Sequence, residues 1–374
     1  MEQIRHKNNA SYIPSLTGLR AIAAFAVYFH HFPLSPFIFG NWVEKFSLEL
    51  YIGVSIFFVL SGFLITLRYE EKFQNGHRGF KRYFVNRFAR IFPLYFILTT
   101  LTFILPYWFA LPPDDLSAVS YILNITLLKA YSDIYIHAGI SQGWTLTVEE
   151  TFYLLAPVFF IYAGKIKYWM WIILLLIAGF LLTLIFSKIH FLSFFPNYLF
   201  TLGNTFFGRG FEFFIGVYLA HIYRAVPVQA SLKRFTGYTI TGALAITGVV
   251  ILLMYTGISE HVKYGKSSFS GTLINNFILP PGIGIFMYGL LSEKTIFRKL
   301  LETKLFQLLG KSSYAFYLIH AGVIQFFLRK YVIDVTAITF VILVMLSVVI
   351  YKFVEEPLNK LIKRLSLKPA ASQL

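Results

Sequence analysis

The chain contains no cysteine, which excludes disulfides, thiolate catalysis and cysteine-based metal sites. Charge is also scarce. Only 13% of the 374 residues are Asp, Glu, Lys or Arg, about half of the roughly 25% that a soluble globular domain carries. Acidic residues are the scarcer sign, 17 against 33 basic. A body of this size with so little polar surface cannot satisfy water, and 57% of its residues are hydrophobic. Apolar runs approaching or reaching the ~20 residues that cross a bilayer recur along the chain. A β-barrel would instead show alternating segments of about 10 residues, and none is present. The expected fold class is therefore all-α, a polytopic transmembrane helical bundle.

About ten spans are expected, at 16–32, 48–67, 91–109, 150–163, 168–186, 206–223, 235–255, 272–291, 312–328 and 332–353. The piece 118–128 is too short to cross and is expected to lie at an interface or to re-enter. The polar start and the absence of a small-residue cleavage site after 16–32 read as a retained first helix rather than a signal peptide. With the N-terminus inside, 24 of the 33 basic residues fall on the inner side and 7 on the outer, while Arg20 and Arg209 lie within spans. That asymmetry puts both termini in the cytoplasm. It also explains the net charge of +16 without nucleic acid as a partner. The expected layout is one membrane domain over 12–358, with cytoplasmic tails at 1–11 and 359–374. No internal repeat is visible, which disfavours a transporter built from repeated halves.

Ionisable groups inside spans are costly and mark function. Arg20 and His31 are eleven residues apart, which is three helical turns plus 20°, so they share a face about 16 Å apart along the axis. His31 lies toward the outer end and can take and return a proton at neutral pH. His30 points about 100° away and is the weaker candidate. Arg87 and Arg90, three apart on one helix face, offer two guanidinium forks that match phosphate oxygens. Glu149 and Glu150 open the expected fourth span and are hard to explain as packing, with Trp144 ahead of them as an interfacial ring or a sugar platform. Arg209 and Glu212 are again three apart and are expected to neutralise one another, as a structural pair or a substrate contact. Tyr314, Tyr317 and His320 form one polar stripe. No metal site is expected.

In order along the chain, these residues resemble the acyltransferase-3 family of membrane acyltransferases. Ser15-Leu-Thr-Gly-Leu-Arg20 followed by ten residues and His31 looks like its Arg-x10-His signature. Gly53-Val-Ser-Ile-Phe-Phe-Val-Leu-Ser-Gly-Phe-Leu64 is similar to its second-helix motif, and Arg87-Phe-Ala-Arg90 to its Arg-x-x-Arg motif. Trp144-Thr-Leu-Thr-Val-Glu149-Glu-Thr-Phe-Tyr153, Ser313-Tyr-Ala-Phe-Tyr317-Leu-Ile-His320 and Glu356-Pro357 resemble its later motifs. One departure is Thr145 where serine is usual, which keeps the hydroxyl. The resemblance covers about 12–358 and looks like the form without a fused C-terminal hydrolase-like domain.

What the resemblance implies is an O-acyltransferase of the bacterial plasma membrane. It implies no bound cofactor, acetyl-coenzyme A as cytosolic co-substrate, and a cell-surface or lipid-linked carbohydrate as acceptor. Catalysis would rest on His31 with Glu149, and donor handling on Arg20, Arg87 and Arg90. Trp144, Glu150, Arg209, Glu212, Tyr317 and His320 remain as substrate or structural residues. Acyl transfer to a small molecule or peptide, or transport of a glycan or lipid intermediate, are the alternatives. Acceptor choice is expected to lie in the outer loops 188–205 and 258–271.

Overall fold

The computed structural model describes residues 12–74, 79–109, 117–225 and 236–367. The N-terminal tail 1–11 and the basic stretch 226–235 lie outside the described residues. Among those described there is no strand, only one isolated bridge between Ser132 and Phe194. The main helices are α1 (Pro14–His31), α2 (Ile52–Gln74), α3 (Phe80–Phe109), α4 (Trp144–Ile161), α5 (Tyr168–Ile189), α6 (Phe206–Ala225), α7 (Tyr238–Ser259), α8 (Leu279–Ser292), α9 (Lys304–Ile319), α10 (Thr336–Ile350) and α11 (Glu356–Ser366).

Seven helical segments are long and apolar enough to cross a membrane: Asn41–Gln74, Phe80–Pro106, Ser141–Ile161, Tyr168–Ile189, Tyr238–Ser259, Phe269–Ser292 and Thr336–Ser366. The expected spans at 16–32 and 206–223 are helical but fall short of that measure, and the one expected at 312–328 is broken at 320–322, between the end of α9 and a short helix Val323–Phe327. They are α1, α6 and α9, the helices that carry Arg20 and His31, Arg209 and Glu212, and Tyr317 with His320. Polar load lowers the mean hydropathy of α1 and α6, so the candidate chemistry itself masks them, whereas α9 falls short in length at 16 residues. The segments Tyr168–Ile189 and Thr336–Ser366 bury only 17% of their apolar window. Their remaining surface is suited to lipid, since all backbone bonds are satisfied within the helix.

The basic stretch 68–90 between the second and third expected spans reads as a cytoplasmic loop followed by an Arg-rich helix start, and among its described residues helix extends from both sides. α2 continues to Gln74 and α3 begins at Phe80. Likewise, residues 359–366 of the expected tail belong to α11. The fourth span starts at Trp144 rather than Glu150, which moves the glutamates into its second turn.

The chain divides into two compact units. Unit 1 comprises Met1–Glu71, Ala163–Ile177 and Phe207–Lys311; unit 2 comprises Lys72–Tyr162, Ala178–Phe206 and Ser312–Leu374. In unit 1, Leu16, Leu19 and Ala23 of α1 share a core with Val59, Leu60 and Phe63 of α2, Leu253 of α7, and Ile283, Met287 and Leu290 of α8. α2 and α6 cross where each has a glycine. A Cβ on Gly62 would lie 2.0 Å from the Phe213 carbonyl oxygen, and one on Gly216 would lie 2.1 Å from that of Val59. Small residues permit this approach, which is how helices associate where no hydrophobic effect drives them together. Just past α8, the buried Glu293 accepts from the amides of Thr236, Tyr238 and Thr239 and from both threonine hydroxyls, closing the start of α7. Burial would raise its carboxyl, but these donors hold it down at about 2.

Unit 2 shows how prolines are accommodated inside membrane helices. Pro93 in α3 and Pro157 in α4 lack an N–H, so the carbonyls four residues earlier, Ala89 and Tyr153, lose their helical donors. Each is served from another helix: Asn359 Nδ2 donates to the Ala89 oxygen at 3.1 Å, and the Tyr83 hydroxyl to the Tyr153 oxygen at 2.7 Å. Removing the donor leaves a buried acceptor unsatisfied, at a cost of about 1–3 kcal/mol. Tyr83→Phe and Asn359→Leu should therefore each lower the thermal unfolding temperature of the purified protein by several degrees. An unchanged transition in both would mean the carbonyls find other donors.

Candidate functional site

The candidate residues distribute over both units. Arg20, His31, Arg209 and Glu212 belong to unit 1, and Arg87, Arg90, Trp144, Glu149, Glu150, Tyr317 and His320 to unit 2.

In unit 1, Arg20 and His31 lie on one uninterrupted helix. Arg20 is partly buried and His31 exposed at its end. The adjacent His30 is the more embedded of the two histidines. Its Nδ1 is 2.6 Å from the Leu48 carbonyl oxygen, which can only accept, so Nδ1 carries the proton and Nε2 is the acceptor nitrogen. The His30 ring packs edge-on to Tyr51 and Tyr264, with centroids 5.3 and 5.1 Å apart, and to His31 at 5.0 Å. Tyr264 comes from the loop 258–271, where acceptor choice was expected. The buried Glu49 fixes that loop by accepting the Gly265 amide at 2.9 Å.

Arg209 and Glu212 do pair. The guanidinium donates from Nε and Nη2 to the two carboxylate oxygens at 2.6 and 2.7 Å, and both side chains are at most 1% exposed. Nη2 also reaches the Ser55 hydroxyl at 3.2 Å, and the guanidinium lies 5.1 Å from the Phe58 ring centroid. Ser55 leads on to Asn275, whose amide donates to Asn276 within the π-helical turn Ile274–Ile278. Such turns often mark functional positions. Lys266 is within electrostatic reach of this pair. Burial first, and then the like charge of Arg209 against the opposing Glu212, push its amine well below the usual lysine range.

A second unit 1 cluster was not anticipated. The buried Glu70 accepts from the Tyr168 hydroxyl at 2.5 Å, from His221 Nε2 at 2.8 Å and from Arg224 at 2.6 Å. The signal available in the sequence was His221 and Arg224, three apart on the helix that already carries Arg209 and Glu212.

In unit 2, Glu149 and Glu150 lie five and six residues into α4, about 8–9 Å from its start. Tyr153 donates to Glu149. Glu150 lies within electrostatic reach of Arg87, whose guanidinium, 7% exposed, is 5.5 Å from the Tyr153 ring centroid. Arg90 similarly faces Glu355. Glu355 lies in the π-helical turn Tyr351–Glu355, next to the Glu356-Pro357 motif. Each of the two arginines thus has one acidic side chain within electrostatic reach. Tyr314 reaches the Ile91 carbonyl at 2.7 Å, within electrostatic reach of Glu149, Glu150 and Glu355.

Gln142, Thr145, Tyr317 and His320 form the other end of unit 2. The Gln142 amide donates to the carbonyls of Tyr317, Leu318 and Ala321 at 2.8, 3.0 and 3.2 Å. The Thr145 hydroxyl meets the Tyr317 hydroxyl at 2.8 Å, which uses the oxygen this position shares with serine. His320 is fully buried, with Nδ1 2.8 Å from the Tyr317 carbonyl. Trp144 begins α4 directly after the 3-10 turn Ser141–Gly143. Loop 188–205 belongs to this unit and holds His190, Leu192, Ser193 and Phe195 at positive φ. Among the described residues, no group of three or more His, Asp or Glu could hold a metal ion.

A family model described as an acyltransferase domain matches residues 13–353. An O-acetyltransferase named OatA from Staphylococcus aureus (strain NCTC 8325 / PS 47) is 25% identical over 372 residues, covering 93% of this chain and 57% of the relative. A putative O-acetyltransferase of S. aureus (strain COL) is 24% identical over 388 residues, covering 96% of this chain and 59% of the relative. The chain thus spans less than three fifths of the length of these relatives. No solved structure matches it.

Proposed function

The chain belongs to the acyltransferase-3 family, and we propose that it is a multi-pass membrane O-acetyltransferase acting on a carbohydrate. The donor in this reading is acetyl-coenzyme A, and the acceptor is a hydroxyl of a cell-surface or lipid-linked sugar. The membrane is the bacterial plasma membrane, with both chain ends in the cytoplasm. The observation that carries the reading is α1. It is one unbroken helix with a cation toward one end and a histidine at the other, inside the region matched by the family model.

Chemically, the acceptor oxygen attacks the thioester carbonyl, its proton passes to His31, and the thiolate leaves and is protonated. A covalent version places the acetyl group on His31 first and transfers it to the sugar afterwards. Acetyl-histidine trapped with donor alone marks the second route, and its absence in a single turnover marks the first. Arg20, Arg87 and Arg90 are assigned to the donor because guanidinium forks match its phosphates. Glu149, engaged by Tyr153, is assigned to orienting or polarising a reacting group.

Mass analysis of envelope glycans from cells with and without the gene tests the reading. Loss of O-acetyl groups without the gene is the expected result. Unchanged acetylation with unmodified glycan accumulating inside would instead identify a transporter.

A further inference from the structure

Lys129 is an outer-loop cation by position, yet it is completely buried. It opens the short 3-10 turn Lys129–Tyr131, and its Nζ donates to the carbonyls of Ala138 at 2.9 Å and Ile140 at 2.5 Å. Asn124 Nδ2 donates to the same Ala138 oxygen at 3.2 Å, and the Tyr95 hydroxyl reaches Asn124 at the same distance. Gly139 between the two held carbonyls has φ +68°, and a Cβ there would lie 2.8 Å from the Phe103 ring. The turn 138–140 is therefore held from both sides in a conformation that an ordinary residue resists. Two residues later, Gln142 grips three carbonyls at the end of α9 around His320. Gly143 follows, closely packed against Tyr95 and the Lys129 amine, and then Trp144.

Burying an ammonium is expensive, and a structural turn needs none, since a shorter polar side chain or an N–H would serve. Burial alone pushes the Lys129 amine down to about 7. Tyr95 packs beside the amine around Gly143, and no carboxylate contributes to the shift. Neutral or charged, the amine keeps at least two N–H bonds for its two carbonyls, so the hold survives loss of the proton.

We infer that Lys129 is a positioning residue for acyl transfer: through the 138–140 turn and Gln142 it sets the end of α9 that carries Tyr317 and His320, and the start of α4 at Trp144. This rests on the acyltransferase reading above. Its test therefore includes a readout that does not need activity.

The experiment compares the full chain in detergent with Lys129→Met, which keeps the length and removes the donors. Labelling of His320 by diethyl pyrocarbonate is read by mass spectrometry, alongside kcat and KM for acyl transfer at pH 6 and pH 9. The expected result is a several-fold rise in His320 labelling. With it should come a kcat at least tenfold lower at both pH values, and a donor KM within about threefold of wild type. Unchanged His320 labelling overturns the inference. A changed label in a protein whose wild type transfers no acyl group counts against the enzyme reading and not against this one. If Lys129→Met does not fold, Gln142→Leu decides by the same labelling, because it cuts the next link directly.

Discussion

His31→Ala is expected to lower acyl transfer by about two to four orders of magnitude, the usual worth of a general base, while the protein still folds and inserts. The structure makes the second half of that expectation specific. His31 is exposed at the end of α1, and substitutions at such positions usually change stability by no more than about 0.5 kcal/mol. Lost activity would therefore report chemistry and not unfolding. His30 supplies the contrast. It is bonded to the Leu48 carbonyl and packed on Tyr51 and Tyr264, so His30→Ala should also destabilise. His30→Asn, whose amide can donate in place of Nδ1, should recover part of that loss. Acetylated product measured in membranes, with folded protein quantified by gel filtration, checks both. Near-normal turnover by His31→Ala would remove this residue from the centre of the reaction. If His30→Asn then proved inactive despite wild-type stability, the base would be His30.

The largest effect on stability is expected at Arg209. Breaking a buried pair by removing one partner typically costs about 3–5 kcal/mol, because the other charge is left uncompensated. Arg209→Met leaves Glu212 without its two-pronged partner, and Glu212→Gln takes the negative charge from beside the buried guanidinium. Both should lose most folded protein at 37 °C. Replacing the two charges together, Arg209→Met with Glu212→Leu, is often neutral in stability. The double variant therefore separates two roles that position and spacing leave open. Restored folding with normal transfer identifies a structural pair. Restored folding without transfer places the charges on the substrate side, consistent with Lys266 and the Asn275–Asn276 turn nearby.

Much of this was legible along the chain because it depends on local periodicity. Residues three apart on a helix meet, so the Arg209–Glu212 pair follows from spacing. Eleven residues return nearly to the same face, so Arg20 and His31 share one side of α1. Hydrophobic run length revealed the class of fold, but it misjudged ends. The glutamates at 149 and 150 looked like a span boundary, whereas α4 begins at Trp144, five and six residues before them. Inside the helix, Tyr153 donates to Glu149 and Arg87 lies within electrostatic reach of Glu150, and run length marks neither partner. Similarly, the prolines at 93 and 157 are visible as lost donors, but nothing local says that Asn359 and Tyr83 replace them.

The amino-acid sequence by itself determined the helical membrane class, the family, and the one-helix register of Arg20 and His31. Each depends on composition or on spacing within a single element. Only the tertiary structure decided which charges are compensated and which polar groups hold others in place. It set Glu150 near Arg87, Glu355 near Arg90, and Glu70 among three donors. It also buried Lys129 beneath a turn that counting had put outside. The reason is that the cost of a charge in a membrane protein depends on burial and on partners distant in sequence. Neither quantity exists until the helices pack.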